Sequence, residues 1–400
     1  MKGSDWLNSA DVLNGHIRRL NLTFNGELLM HQLEKFSLQG FRSIKQLDDF
    51  SLGPITVLIG ANGSGKSNLI GFFRMMNHMM LGGLQPFLQS GGGASNLLHF
   101  GPKQTRFLSA DLVFRSDQGL NTYHCELTFA AVDRLMFVNE ELKFQVNGSN
   151  YPKIIPIENN EPVESQLSRY LDQNRRTERF IKGFLDKTRV FHFHDTSVTS
   201  QMRNYCDPRD ARYLWAEGGN LAAVLLRLRN EYPANYRRVV AGVNTVFPEL
   251  KDFDFEPDGT NGRGLLLRWR PTSNPAEVFG PAHLSDGTLR MIALVTLFNL
   301  PDPMSSWMII LDEPELGLHP AAEAYLASLV RSTSQNTQIL LSTQSATLVD
   351  QFKPSEVVVA EMRNSVSTFA RLSEEKLGPW LKQYTLGEAW RKNVFGGRPE

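Results

Sequence analysis

The 400-residue sequence predicts an α/β fold with three parts: a parallel-sheet lobe, an N-terminal antiparallel β lobe and a helical insert. Continuous apolar runs at 54–60, 306–315 and 337–345 are typical of buried strands. In the last third of the chain these runs alternate with helical patterns, which predicts a parallel sheet with crossover helices. Apolar and polar residues alternate along 105–146 around turn signals, and this pattern predicts antiparallel strands.

The first part of the chain is predicted to contain strands, a helix and a loop. After a polar leader at 1–29, alternating patterns along 33–41 and 41–52 predict two strands. The first apolar run then leads through glycines into a helix at 67–80, and the glycine-rich stretch 82–95 is predicted to be a loop. Three interpretations of the leader stay open: an ordered extension, a flexible arm or an upstream start codon.

The middle of the chain is predicted to be mainly helical. A polar stretch at 147–164 leads to helical patterns near 165–187 and 219–247, with a strand at 189–195 between them and further strands near 252–270. The predicted regions are an N-terminal extension (1–29), the first part of a two-part head with the β lobe (30–160), a mainly helical insert (161–250) and the second part of the head (251–400).

The composition excludes several classes of protein. Lys+Arg and Asp+Glu number 42 each, so nucleic-acid binding through bulk positive charge is not expected. The two cysteines, Cys125 and Cys206, form no CxxC, which excludes a disulfide framework and favours a reducing cytosol. No run approaches the roughly 18 apolar residues of a membrane helix, and the start lacks the apolar core of a signal peptide. We therefore expect a cytoplasmic protein with no membrane partner.

A phosphate-binding loop is the strongest motif. The segment 60–67 (GANGSGKS) fits the pattern G-x-x-x-x-G-K-[ST] between a predicted strand and a predicted helix. Its backbone N–H groups and the helix N-terminus suit phosphate oxygens. Lys66 would reach the β- and γ-phosphates of ATP, and the Ser67 hydroxyl would ligate Mg²⁺. The predicted ATP ligands in this segment are Asn62, Gly63, Ser64, Gly65, Lys66, Ser67 and Asn68.

Two acids end the apolar run at 306–315, as in a Walker B strand. Asp312 is predicted to hold Mg²⁺ through water, and Glu313 to act as the general base on the attacking water. Paired acids after an apolar strand are common by themselves. In a chain that also contains a phosphate loop, the pair indicates a Walker B strand.

A third motif, LSDGT at 284–288, precedes a predicted helix 27 residues ahead of Asp312 when counted from Ser285. The Ser285 hydroxyl and the Gly287 N–H would form an anion cradle at the helix start, and a simple helix cap is the alternative. The segment resembles the LSGGQ signature of ABC-type ATPases, with Asp286 in place of a glycine and Thr288 in place of the glutamine. In that class the signature completes the site of the opposite subunit.

Taken together, the motifs resemble the RecF/SMC-like branch of ABC ATPases, specifically the compact heads known as RecF-like AAA ATPases. The resemblance rests on FRSI at 41–44, GANGSGKSN at 60–68, LSDGTLR at 284–290, LDEPELGLHP at 311–320, STQSATLVD at 342–350 and LGEAWRKNVFGGRP at 386–399. It implies an ABC-ATPase head, a P-loop NTPase with a RecA-like parallel-sheet lobe. Such heads form a homodimer or higher homo-oligomer around ATP, with 315–319 as the D-loop at the interface.

Two departures from the family pattern stand out. Gln344 occupies a position where the family commonly has a histidine that senses the γ-phosphate and steadies the catalytic water. Because glutamine carries no proton as imidazole does, we expect slow hydrolysis. The Q-loop glutamine has three candidates, Gln89, Gln104 and the segment 192–195, of which the last is favoured because it closes a strand.

Other residues allow two interpretations. The resemblance implies that Arg42 approaches the nucleotide, whereas a surface arginine at a strand end is the alternative. His192, His194 and Asp195 either ligate zinc or manganese, or are structural. The basic segment 175–189 is either a solvated helix face or a contact for DNA or RNA phosphates.

The function predicted from these motifs is ATP binding and hydrolysis by a head that acts as a switch. The resemblance suggests bacterial anti-phage defence beside a separate effector, a nuclease or toxin, since the chain has no recognisable nuclease of its own. A DNA repair or maintenance ATPase acting directly on DNA is the alternative. A transporter motor is disfavoured because 219 residues separate Lys66 from Ser285, far more than in transporter domains.

Overall fold

The chain builds two six-stranded β-sheets, with helices between them and on the outer face of one, in the computed structural model. The structure describes residues 23–24, 27–28, 31–158, 161–169, 175–256 and 264–397. Most of the predicted leader, 1–29, lies outside these residues. Within the described part of the chain, no helix has both the length and the apolar character needed to cross a membrane.

The strands follow the predicted α/β pattern closely. They are β1 (Thr23–Phe24), β2 (Glu27–Leu28), β3 (Gln32–Phe41), β4 (Ile44–Ser51), β5 (Ile55–Ile59), β6 (Phe107–Ser116), β7 (Gly119–Ala130), β8 (Arg134–Val146), β9 (Lys153–Pro156), β10 (Thr188–Phe191), β11 (Leu250–Asp254), β12 (Arg268–Pro271), β13 (Met308–Asp312), β14 (Gln338–Thr343), β15 (Val357–Arg363) and β16 (Val366–Arg371). The two short pairs β1–β2 and β11–β12 stand apart from the large sheets.

The antiparallel lobe has the strand order β4-β3-β6-β7-β8-β9. Buried and partly exposed side chains alternate along β6 and most of β7, as expected for strands with one face on the core. The predicted strands at 33–41, 41–52 and 105–146 are thereby confirmed.

The second sheet has the order β10-β13-β14-β5-β15-β16, and every neighbouring pair is parallel except β15–β16. All five residues of β5 are buried, because helices cover both faces of its sheet. Parallel pairing places the carboxyl ends of β5, β13 and β14 side by side. The three apolar runs therefore deliver their following loops to one edge.

The helices form two layers around the parallel sheet. They are α1 (Lys66–Met80), α2 (Leu84–Ser90), α3 (Arg176–Asp186), α4 (Leu221–Glu231), α5 (Pro233–Val246), α6 (Asp286–Phe298), α7 (Pro320–Thr333), α8 (Ala346–Val349), α9 (Glu374–Leu381) and α10 (Leu386–Arg391). Helices α1 and α3 share one core with the antiparallel lobe, and α4 to α8 share the other core on the opposite face.

Several predicted boundaries differ from the structure. The segment 219–247 forms two helices, because Pro233 begins α5 where its missing N–H is no loss. Within the predicted helix 165–187, α3 begins only at Arg176, and 170–174 lie outside the described residues. The predicted insert 161–250 also supplies strand β10 to the parallel sheet. The division of the chain into domains stays a prediction.

The expectation of a loop throughout 82–95 is wrong, because it contains α2. The glycines flank this helix rather than break it. Its first backbone N–H groups are capped by a distant carboxylate: Leu84 N–H donates to Glu164 Oε2 and Gln85 N–H to Oε1, both at 2.9 Å. A cap from 80 residues away leaves no local signal in the sequence.

We expect Glu164→Ala to lower the free energy of unfolding by about 0.5–2 kcal/mol, the usual loss for a helix cap. The substitution leaves two N–H groups of α2 without their acceptor. Urea titration followed by circular dichroism measures the change. Glu161→Ala is the matched control, since that exposed glutamate pairs with Arg169 at the surface and its loss should change stability little. Equal free energies of unfolding for the two variants would contradict the proposal that Glu164 caps α2.

Candidate functional site

Glycines shape the loop between β5 and α1. Gly60, Gly63 and Gly65 have φ of 152°, 77° and 105°. A Cβ at Gly60 would overlap the Ala360 carbonyl oxygen, and one at Gly65 would overlap the Ser367 hydroxyl. Gly63 has open space around it instead, on the exposed side of the loop. The predicted phosphate loop therefore needs glycine at these positions for backbone shape and for close packing behind it.

Lys66 is the first residue of α1, and only 4% of it is exposed. Its Nζ donates to the carbonyl oxygens of Gly60 at 2.6 Å and Ala61 at 3.0 Å. Burial lowers the pKa of Lys66, and the nearby carboxylates of Glu313 and Asp312 oppose that change. The loop thus curls around an ammonium group that also faces the acids at the end of β13. This arrangement suits a phosphate chain placed between them.

Behind the loop lies a short hydrogen-bonded chain. The Asn68 amide donates to Ser43 Oγ at 2.6 Å, and the Ser43 and Ser367 hydroxyls are 2.7 Å apart. Asn68, predicted as an ATP ligand, therefore braces α1 against the β3–β4 turn and β16. The other predicted ligands lie in the loop itself, with Asn62 and Ser67 exposed and Ser64 buried. Ser367 was missed, because it follows the phosphate loop by 300 residues.

The two predicted acids occupy the turn after β13. Asp312 Oδ1 accepts a hydrogen bond from Ser342 Oγ at 2.6 Å, across the parallel pair with β14. The Glu313 N–H donates to the Ser342 carbonyl oxygen at 3.1 Å. Glu313 has φ of 43°, which is uncommon for a residue with a side chain, and strained residues of this kind cluster at functional sites. The neighbouring strand β14 thus holds both acids in place.

The side chains of Gln344 and Glu313, the two predicted catalytic residues, meet. The Gln344 side-chain amide donates to Glu313 Oε1. The Gln344 N–H donates to Glu315 Oε1 at 2.8 Å, and the Thr343 hydroxyl donates to the same oxygen at 2.6 Å. Glu315, predicted as part of the D-loop, is a buried carboxylate that holds the turn carrying Gln344.

The signature segment caps α6. Ser285 Oγ accepts from the Thr288 N–H at 3.1 Å, and Asp286 pairs with Arg203 at 2.8 Å. A Cβ at Gly287 would lie 2.5 Å from the Gly317 carbonyl oxygen, so a glycine lets the D-loop approach the signature. Ser285 is exposed. Arg203 was missed, since an isolated arginine at the end of a short 3₁₀ helix, Gln201–Arg203, has no sequence signal.

Two further predicted residues, Arg42 and His194, lie close to α1 and to the end of β13, respectively. The Arg42 guanidinium lies beside Gly71, about one turn past Ser67 along α1, and burial lowers the pKa of Arg42. His194 Nε2 lies 2.7 Å from the Asp312 carbonyl oxygen, since β10 pairs with β13. This contact supports 192–195 as the Q-loop position.

The other two Q-loop candidates lie elsewhere, Gln89 in α2 and Gln104 in the turn before β6. His192 pairs with Glu217 at 3.1 Å, and its ring lies edge-on to that of His194 with the centroids 6.3 Å apart. Among the described residues, no group of three or more His, Cys, Asp or Glu side chains is arranged to hold a metal. The ion pair of His192 with Glu217 and the contact of His194 with the Asp312 carbonyl oxygen favour the structural interpretation of these two histidines.

The geometry defines a class of protein: a P-loop NTPase head of the ABC type. The family model described as "AAA domain, putative AbiEii toxin, Type IV TA system" matches residues 55–350, and the chain belongs to this family. That match and the fold establish the predicted relation to SMC/RecF-like ATPase heads. No curated protein matches the sequence.

Two solved structures have the same fold. One is an Smc head bound to the C-winged helix domain of ScpA, with a TM-score of 0.56 and 18% identity over 87% of this chain and 99% of that one. The other is an Smc head with an extended coiled coil bound to the C-terminal domain of ScpA, derived from Pyrococcus furiosus. It has a TM-score of 0.56 and 15% identity over 88% of this chain and 99% of that one.

Proposed function

We propose that the protein binds ATP and hydrolyses it, and that two heads close around the nucleotide. The observation that carries this proposal is the convergence of Lys66, Glu313 and Gln344 where β5, β13 and β14 end. Convergence of a buried cation and an anchored acid at the end of parallel strands favours phosphoryl chemistry.

Magnesium fits the residues at this edge. Ser67 is exposed at the start of α1, and Asp312 is held by Ser342 through one carboxylate oxygen, which leaves the other for a ligand or its water. Hydroxyl and carboxylate oxygens are ligands that Mg²⁺ prefers. A Mg²⁺ ion bound there would neutralise part of the phosphate charge.

The residues divide the chemical work. Lys66 and the loop N–H groups bind and polarise the terminal phosphates. Glu313 accepts the proton of the attacking water, a role that contributes about 10²–10⁴-fold to the rate of such reactions. Gln344 donates to Glu313 and so orients its carboxylate, but it cannot take up the proton. We therefore expect slow turnover and long-lived ATP-bound dimers.

Dimer closure is supported by the exposed signature. The Ser285 hydroxyl and the start of α6 face away from the core, in reach of a second copy, whereas the D-loop packs on Gly287. In the proposed homodimer or higher homo-oligomer, the Ser285–Gly287 segment of one chain completes the ATP site of the other. ATP then clamps the heads, and hydrolysis releases them.

The wider role proposed is control of a separate effector, a nuclease or toxin, in cytoplasmic anti-phage defence. The family description names a putative toxin of a type IV toxin–antitoxin system, which supports a role in defence and names no separate effector. A repair ATPase acting directly on DNA is the second candidate, favoured by the exposed arginines at the start of α3. Purification of the native complex with ATP distinguishes them, since a co-purifying effector supports defence and bound DNA alone supports repair.

The proposed ATPase activity is tested by measuring phosphate release from ATP in the presence of Mg²⁺ and in the presence of EDTA. We expect slow turnover that needs the metal. Absence of turnover in both conditions, in protein that is folded and binds no ATP, would contradict the proposal.

We expect Ser285→Arg to leave ATP binding near normal and to block turnover, because the arginine would occupy the space of the partner's γ-phosphate. Calorimetric ATP titration and phosphate release measure the two effects. Ser273→Arg, at an exposed serine in the bend after β12, is the control for an added surface charge. Hydrolysis by Ser285→Arg at the wild-type rate would mean that Ser285 only caps α6.

A further inference from the structure

Glu315 joins three segments of the site. Its side chain contacts Thr343 and Gln344 at the end of β14, and it lies two residues after Glu313. Its carbonyl oxygen accepts from the Leu318 N–H at 2.9 Å inside the D-loop. The acid turn, the D-loop and the turn that carries Gln344 are therefore linked through this one residue.

The Glu315 carboxylate is buried at a cost that only strong hydrogen bonds offset. Glu315 is 6% exposed, and its Oε1 accepts from both the Thr343 hydroxyl and the Gln344 N–H. Oε2 is buried with no hydrogen-bond partner among the described protein atoms. Burial raises the pKa of Glu315, and the bonds from Thr343 and Gln344 oppose that rise. A buried carboxylate of this kind is weak evidence for stability, and its bond from the Gln344 N–H points instead to a role in holding the Gln344 turn.

Glu315 holds the backbone of Gln344 in place. Anchoring the Gln344 N–H fixes the backbone turn from which its side chain reaches Glu313 Oε1. Glu313 is partly exposed and Glu315 is buried, so water reaches Glu313 more readily. Glu315 therefore acts through another residue and is not the base itself.

We propose that Glu315 is a positioning residue, which sets Gln344 against Glu313 and couples the conformation of the D-loop to the geometry of hydrolysis. This inference rests on the proposed ATPase function. Since a misplacement of about 1 Å can cost about 10²-fold in rate, loss of the anchor should act on kcat rather than on ATP binding.

The test compares kcat and KM for ATP in Glu315→Ala, Glu315→Gln, Gln344→Ala and the double Ala variant. We expect Glu315→Ala to lower kcat about 10–100-fold with KM changed less than about threefold. Glu315→Gln should retain most activity, because the amide oxygen still accepts both hydrogen bonds. The double variant should have a kcat only slightly lower than that of Gln344→Ala, because Glu315 and Gln344 act together and each single change already disrupts that arrangement.

Glu140→Ala is the matched control. Glu140 is a buried carboxylate in the antiparallel lobe that accepts from the Tyr123 hydroxyl at 2.7 Å and the Gln166 N–H at 3.0 Å. Its loss should lower the melting temperature and leave kcat unchanged. If Glu315→Ala fails to fold, Thr343→Val removes one donor to the same oxygen and should lower kcat in the same direction.

Three results would overturn the inference: wild-type kcat in Glu315→Ala and Thr343→Val, independent effects in the double variant, or a Glu315→Gln variant as inactive as Glu313→Gln. The last would make Glu315 a base. Absence of turnover by the wild-type protein would instead overturn the proposed function.

Discussion

Glu313→Gln is expected to stop ATP turnover while ATP still binds. Glutamine keeps the shape of the side chain and an oxygen that accepts from the Gln344 amide. It removes the base, whose loss typically costs about 10²–10⁴-fold in rate. Single-turnover phosphate release measures the chemical step, and calorimetry measures ATP affinity.

The control for Glu313→Gln is Glu323→Gln. Glu323 is 7% exposed and accepts from the Ser345 hydroxyl at 2.5 Å, so it lies in the same region without reaching the acid turn. Its substitution should leave turnover within about threefold of wild type. Unchanged turnover in Glu313→Gln would assign the base to another acid and break the proposed mechanism.

Lys66→Ala is expected to abolish tight ATP binding. Within the phosphate loop and the acid turn, Lys66 supplies the buried cation, and hydrogen bonds to charged groups contribute about 1.5–3 kcal/mol each. Two such contacts, to the β- and γ-phosphates, would weaken binding by more than about 100-fold when lost. Titration calorimetry with ATP and Mg²⁺ measures the affinity.

Lys45→Ala is the control for lost positive charge, since Lys45 is an exposed lysine of β4. It should bind ATP as the wild type does. Circular dichroism must show that Lys66→Ala is folded, because the substitution also removes the ammonium group's hydrogen bonds to the Gly60 and Ala61 carbonyl oxygens. Wild-type ATP affinity in Lys66→Ala would contradict the assignment of the phosphate loop.

Local patterns predict the elements of this fold well. Apolar runs predict β5, β13 and β14 because strands covered on both faces carry no polar side. The glycines of the phosphate loop can also be predicted from the sequence, because the backbone conformation of the loop requires them. The loop predicted at 82–95 fails for a physical reason, because the cap that starts α2 comes from Glu164.

The candidate site is predictable in its motifs but not in its connections. That Gln344 touches Glu313 follows from the parallel pairing of β13 with β14, which periodicity does not define. Ser367 and Glu315 act through packing between distant segments. Their residue types are ordinary, and only the topology places them beside the phosphate loop and the acid turn.

The central claim is that ATP joins two heads into composite sites, and the molar mass of Glu313→Gln by light scattering tests it most directly. With ATP and Mg²⁺ we expect about twice the 45.2 kDa of one chain. Without ATP, or in the Glu313→Gln/Ser285→Arg double variant with ATP, we expect a lower mass. The same mass in all three conditions would contradict the account.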